Sequence, residues 1–308
     1  MSDSPIPEVK HALARLVTDE LTPETDHAGF LHLQNRYLRN GHINRLIDSY
    51  GRIIPSLKAG YDVAVLGASP LEGFFLSRAA DLHSCRLYGS QEHLVYKSNK
   101  EFSFSRTLTG VQDCQVYSVN RHNLETPLPD KDEAFDAIIC LEVLEHLRRD
   151  PLEFMTEVRR TLRAGGSLYL STPNMNSARA IFRALNWESP MFFPSFGPPP
   201  AGIIHAHEYS LFELLALLKH AGFQVEKVDS FDHPITPSFN HDTEYRSKRL
   251  LDEDTLARFR IESVETSVVE NLLGGSPYRG DSLFVQASRT SEVQSKPYSP
   301  LFCLFDEH

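Results

Sequence analysis

Apolar residues recur along this chain first at helical spacing and then at strand spacing. From Phe30 to Leu57, the residues Leu31, Leu38, Ile43, Leu46, Ile47, Ile53 and Ile54 form a core-facing set, which predicts an amphipathic helical segment ending near residue 58. Its basic residues, Arg36, Arg39, Arg45 and Arg52, are expected on a solvated face or along a cleft. At residue 61 the period changes. YDVAVLGAS is a short apolar run closed by glycine, the pattern of a strand buried on both faces. EGFFLSRAADL then reads as helix, CRLYGS as a second strand, QVYSV (115–119) as a third, AFDAIICL as a fourth and GSLYLSTPN as a fifth. Between the last two, PLEFMTEVRRTLRAGG predicts a helix stopped by Gly165-Gly166. SLFELLALLKHAG is a further helix with Ser210 as its N-cap, QVEKVDSF a sixth strand and SLFVQAS (282–288) a seventh. This alternation predicts an α/β fold, a Rossmann-like, seven-stranded, doubly wound sheet.

Two stretches interrupt the alternation. Residues 175–205 follow the fifth strand and contain WESPMFFPSFGPPPAG, whose prolines at 194 and 198–200 exclude regular structure there. Long loops at the carboxyl ends of strands commonly cover ligands, so this one is expected to act as a substrate lid. Residues 232–281 read as an insert with a helix around 252–273. The expected organisation is a helical extension (1–58), one domain (59–290) and an apolar tail (291–308) that docks on the body.

Composition narrows the function. Lys and Arg number 31 against 41 Asp and Glu, a net charge of −10, which counts against general nucleic-acid binding. Cys85, Cys114, Cys140 and Cys303 are scattered, giving neither a disulfide framework nor a zinc motif. No apolar run approaches the roughly 18 residues of a membrane span. The N-terminus lacks the basic-then-apolar order of a signal peptide, so a cytoplasmic location is expected.

FDAIICLEVLEHL (135–147), LRAGGSLYLSTPN (162–174) and HEYSLFELLALLKHAGFQV (207–225) occur in an order and spacing that resembles class I S-adenosylmethionine-dependent methyltransferases, over about residues 60–230. Within that class the chain is most similar to bacterial methyltransferases of glycan and secondary-metabolite synthesis, on GASP (67–70), NLETPLP (123–129), GDSLF (280–284) and the aromatic tail. The resemblance implies S-adenosylmethionine as cofactor. A ligand with an adenosine and an amino-acid arm needs a close backbone turn after the first strand and polar groups at the next strand ends. Those positions are Gly67, Ala68, Ser69 and Gly73, then Gln91 and Glu92, then Asn123 and Leu124, then Leu141. The chain departs from the family at several of them. The GxGxG loop is Gly67-Ala68-Ser69-Pro70-Leu71-Glu72-Gly73, Val65 replaces an acid before it, Gln91 stands at the ribose acid and Asn123 at the adenine-side acid. Those departures motivate an alternative, a non-catalytic methyltransferase-like binding or scaffold protein.

Glu142-Val143-Leu144-Glu145-His146 follows the fourth strand. As the first turn of a helix, Glu142 and Glu145 would share a face, where acids also suit the helix dipole and His146 packs inward. A second reading comes from the resemblance to small-RNA terminal 2′-O-methyltransferases and, for the ExxEH part, to ubiquinone-pathway O-methyltransferases. It implies a divalent metal held by Glu142, Glu145, His146 and His205. Two carboxylates and two imidazoles suit manganese, iron, cobalt or zinc better than magnesium. Without a metal, His205, His207 or His146 is the candidate general base, and His207 alone is more simply a hydrogen-bonding residue. Trp187, Phe192, Phe193 and Phe196 are candidates for an apolar wall against the acceptor, or for packing the loop onto the domain.

The expected activity is therefore O-methylation of a hydroxyl on a sugar, glycosylated metabolite or other small molecule, with a phenol or catechol as a second acceptor class. RNA-terminal methylation shares the ExxEH-plus-His arrangement but is disfavoured by the charge. The N-terminal helices and the tail are the candidate elements of a homo-oligomer interface.

Overall fold

The computed structural model describes residues 42–68, 72–73, 75–76, 82–90, 100–108, 111–187, 189–191, 205–232 and 266–291. Helix α1 (His42–Ile53) leads through a short 3₁₀ turn into β1 (Asp62–Leu66). Then come β2 (Ser84–Ser90), β3 (Lys100–Leu108), β4 (Val111–His122) and β5 (Phe135–Leu141). Helix α2 (Pro151–Thr161), β6 (Leu162–Pro173), α3 (Ala178–Leu185), α4 (Leu211–His220), β7 (Phe223–Phe231), α5 (Thr266–Leu273) and β8 (Ser282–Arg289) complete the order.

The strands form one eight-stranded sheet in the order β3-β4-β2-β1-β5-β6-β8-β7. β4, β2, β1, β5 and β6 run parallel, and β8 is antiparallel to both of its neighbours. The doubly wound class is as expected, with one strand more than the predicted seven. The addition is β3, paired antiparallel with a β4 far longer than the expected 115–119, from Lys100↔Val119 to Leu108↔Val111. KEFSFSRTL alternates apolar and polar residues, the signature of an edge strand rather than of a buried run.

The central strands are buried on both faces because their apolar residues are consecutive. In β1, Val63 and Val65 join a core with Leu46, Tyr50 and Ile53 of α1, while Ala64 and Leu66 join another with Phe154, Met155 and Val158 of α2 and Leu214, Leu217 and Leu218 of α4. Thus α1 packs on the same sheet as the rest of the domain. Its arginines are not on a solvated face: Arg52 pairs with Asp229 at 2.8 Å and lies over the Phe231 ring, and Arg45 reaches Glu142. Leu31, Arg36, Leu38 and Arg39 lie outside the described residues.

Local signals set the helix ends. Asp150 accepts from the Leu152 amide, with Pro151 in the first turn of α2. Ser210 and Glu213 form a reciprocal capping box at α4, as the N-cap expectation required. The expected stop of α2 at Gly165-Gly166 is corrected. The helix ends at Thr161, Leu162 is extended and pairs with Phe135, and Gly165 at φ 72° carries the chain through an irregularity in β6. The 175–205 stretch also starts more regularly than expected, since α3 occupies residues 178–185, capped by Ser177. Of the predicted 252–273 helix, the described part is α5. Among the described residues, no helix is long and apolar enough to cross a membrane.

At the amino ends of β1 and β5, Arg163 bridges Asp62 (2.9 Å) and Asp136, and the Ser84 hydroxyl donates to Asp62 at 2.6 Å. Burial acts to raise the Asp62 carboxyl, but the Ser84 and Arg163 hydrogen bonds outweigh it and hold the pKa below its ordinary 3.8. A lowered carboxyl contributes stability above its ordinary pKa and loses it as pH falls through the folded value. Arg163→Met is expected to cost about 1 kcal/mol at pH 7. In urea unfolding followed against pH, its difference from wild type should narrow only below 3.8.

Candidate active site

The carboxyl ends of β1, β5 and β6 meet the 205–210 segment on one edge of the sheet. β1 turns at Gly67, whose φ of 77° lies in the left-handed region. A Cβ there would sit 2.4 Å from Cγ2 of Val143, so the turn is pressed against the segment that follows β5. Ala68 is buried, and its amide donates to the Tyr88 carbonyl at 2.9 Å, tying the turn to β2. Gly73 is buried in a helical segment. At the end of β4, the exposed Asn123 accepts the Glu125 amide on its side chain and the Thr126 amide on its carbonyl. Glu125 in turn accepts the amides of Arg148 (2.5 Å) and Arg149 (3.0 Å), which couples this loop to the segment beyond His146. Leu124 and Leu141 are buried apolar surface at the same edge. Ser69, Gln91 and Glu92 lie outside the described residues.

The ExxEH segment is not the helical turn that the sequence suggested. Glu142 adopts φ 55°, and only Leu144–His146 form a 3₁₀ turn. The left-handed kink turns Glu142 away from Glu145. Its Oε2 lies 2.8 Å from Nη1 of Arg45, and its Oε1 accepts the hydroxyls of Ser171 (2.8 Å) and Ser282 (3.2 Å). Glu142 thereby joins α1, β5, β6 and β8 at their common end.

Glu145, His146 and His205 do converge: one candidate ligand atom from each lies within 4.8 Å of the others. Glu145 is buried and accepts the Thr172 hydroxyl at 3.1 Å. Burial, then the charge of Glu142, hold its carboxyl well above the usual range. Nε2 of His146 stands 3.7 Å from Oε1 of Glu145, and the His146 and His205 rings meet edge to face at 4.9 Å. The Glu145 carbonyl accepts the amides of Ala206 (2.6 Å) and His207 (3.3 Å), so backbone bonds bring the His205 segment to the turn. Farther along, Tyr209 bridges to Asn174 at the end of β6.

Two other candidates stand apart from this cluster. His207 is half-exposed, 3.4 Å from Glu213 and edge-on to Tyr209. Trp187 is 74% exposed and does not wall a site, while Phe192, Phe193 and Phe196 lie outside the described residues. Sequence reasoning named Arg45 only as one of the basic residues of a solvated face or a cleft, and missed Thr172 and Glu208. The spacing His205-x-x-Glu208 was the available signal for the last of these.

Comparison with known proteins gives the same picture. A family described as a methyltransferase domain matches residues 76–228. A Mycolicibacterium smegmatis protein named a probable S-adenosylmethionine-dependent methyltransferase is 33% identical over 106 residues, 34% of this chain and 35% of its own. The ubiquinone biosynthesis O-methyltransferase of Ruegeria sp. is 35% identical over 112 residues (33% of this chain and 39% of its own). The tRNA U34 carboxymethyltransferase of Campylobacter hominis is 47% identical over 120 residues (37% and 36%). The matched regions span between about a third and two fifths of the length of these relatives. Residues 76–228 thus match a methyltransferase domain, and the doubly wound sheet, with its last strand antiparallel between its neighbours and a glycine turn after β1, is the fold expected of class I S-adenosylmethionine-dependent methyltransferases.

Proposed function

We propose that the protein transfers a methyl group from S-adenosylmethionine to a hydroxyl oxygen of a sugar or other small metabolite, with a divalent metal at Glu145, His146 and His205. The observation that carries this reading is the convergence of those three side chains beside the Gly67 turn. Relatives named as O-methyltransferases of ubiquinone biosynthesis support oxygen as the acceptor atom. The −10 charge counts against an RNA acceptor.

The residues present suit both groups. Gly67 and Ala68 offer a close backbone turn, Leu124 and Leu141 an apolar floor and Asn123 a polar edge, as a nucleoside with an amino-acid arm needs. One carboxylate and two imidazoles suit manganese, iron, cobalt or zinc. Glu142 is left out of the ligand set because Arg45, Ser171 and Ser282 engage both of its oxygens. When bound, the cofactor supplies an electrophilic methyl and the metal lowers the pKa of a hydroxyl. The transfer would form the C–O bond as the C–S bond breaks, and with the metal present the hydroxyl would lose its proton to water. Without a metal, no lone pair of His205 or His146 is spent on coordination, and these are the imidazoles within reach of the base role. The protein's main contribution is to hold the two reactants in line.

Calorimetry with S-adenosylmethionine is expected to show micromolar binding, and chelation followed by single-metal add-back to restore turnover of a hydroxyl acceptor. Absence of cofactor binding, even with acceptors present, would favour the scaffold alternative. Turnover unchanged by chelator would remove the metal and leave the histidines as bases.

A further inference from the structure

We propose that Glu208 is the positioning residue of the site, fixing which nitrogen of His205 carries the proton and which faces the reaction. The proposal rests on the reading above that His205 is functional, but on neither of its two versions, metal ligand or base. Oε1 of Glu208 lies 2.5 Å from Nδ1 of His205, and both side chains are buried. A carboxylate offers only acceptors, so this pairing places a proton on Nδ1 and leaves the lone pair of the neutral ring on Nε2. A metal ligand and a general base both need that lone pair.

The backbone supports the same assignment. The segment carrying both residues is tied down between them, by the Glu145 carbonyl at Ala206 and His207, and just after them, by Asn174 and Met175 at Tyr209. These bonds set where the segment runs, but they do not orient the imidazole. Glu208 does so through a side chain that is only 1% exposed. A carboxylate buried this deeply is costly unless it is paired, so a purely structural position would be filled more cheaply by an apolar residue.

The tautomer can be read directly in the full-length protein from long-range proton–nitrogen correlations of the His205 ring. The neutral Nδ1–H form is expected, and a neutral Nε2–H form would overturn the proposal. Glu208→Ala should release the ring to the Nε2–H form and weaken Co2+ binding, read from its visible absorption, by about 10–100-fold. Glu208→Gln keeps an acceptor for Nδ1–H and should restore most of both. Should the alanine variant fail to fold, the wild-type tautomer and the glutamine variant still decide. A folded Glu208→Ala protein with wild-type tautomer and Co2+ affinity would reduce Glu208 to packing. If the wild-type protein binds no Co2+, the metal reading fails while the tautomer result still tests Glu208.

Discussion

Gly67→Ala is expected to lower stability by about 3 kcal/mol and S-adenosylmethionine affinity by about 100-fold. Two effects add. The left-handed φ of 77° disfavours any side chain by about 1–2 kcal/mol. The new Cβ would also stand 2.4 Å from a methyl of Val143, a β-branched residue that is buried and has few rotamers to escape into. Either the β1 turn or the segment leading to Glu145 must then move. Val143→Ala in the same chain separates the two effects, because it removes the colliding methyl and leaves the backbone strain. The double variant should recover part of the stability and more of the affinity, a non-additivity expected only for groups in contact. Calorimetry with the cofactor and urea unfolding read the two quantities independently. Wild-type affinity in a folded Gly67→Ala protein would place the cofactor's arm elsewhere.

This glycine also shows what the sequence made legible. Gly67 closes an apolar run, and a turn of this kind is local, so the motif survives the loss of the later glycines of the loop. The same holds for the central strands, whose consecutive apolar residues demand burial on both faces. Glu142 is the opposite case. Its spacing to Glu145 suggested a shared helical face, but its conformation is set by Arg45, Ser171 and Ser282, which are 97, 29 and 140 residues away along the chain. No local period encodes such a junction. β3 was missed for a related reason, since an edge strand needs only one good partner and carries no continuous apolar run. His205 was legible from the motif around it. Its approach to Glu145 depends on backbone bonds between segments far apart along the chain, which composition alone cannot supply.

The acidic pair also gives the site a charge problem that distinguishes a metal-binding cluster from a packing one. Glu145 is buried near the charge of Glu142, and Arg45 answers that pair only in part, being engaged by Glu142 itself. Glu145→Gln is therefore expected to stabilise the metal-free protein, by about 1–4 kcal/mol at pH 8. The glutamine oxygen can still accept the Thr172 hydroxyl, so the substitution removes charge without removing that bond. The sign of the pH dependence follows from the raised carboxyl. Below the ordinary value of 4.5, Glu145 is neutral folded and unfolded alike; above it the folded state must either hold a proton or bury a charge, and wild type loses stability as pH rises through the folded pKa. The advantage of the variant should thus grow upward from pH 4.5. Mn2+ reverses the order. At 100 times its dissociation constant a ligand adds about 2.7 kcal/mol to the folded state, and only wild type keeps the carboxylate to bind it. Methyl transfer to a hydroxyl acceptor should fall by about 10²–10³-fold in the variant, the equivalent of several kcal/mol of lost charge stabilisation, with cofactor affinity nearly unchanged. Thermal unfolding with and without Mn2+ checks the crossover. If the variant is less stable in both conditions and loses cofactor binding as well, Glu145 holds the fold rather than a metal.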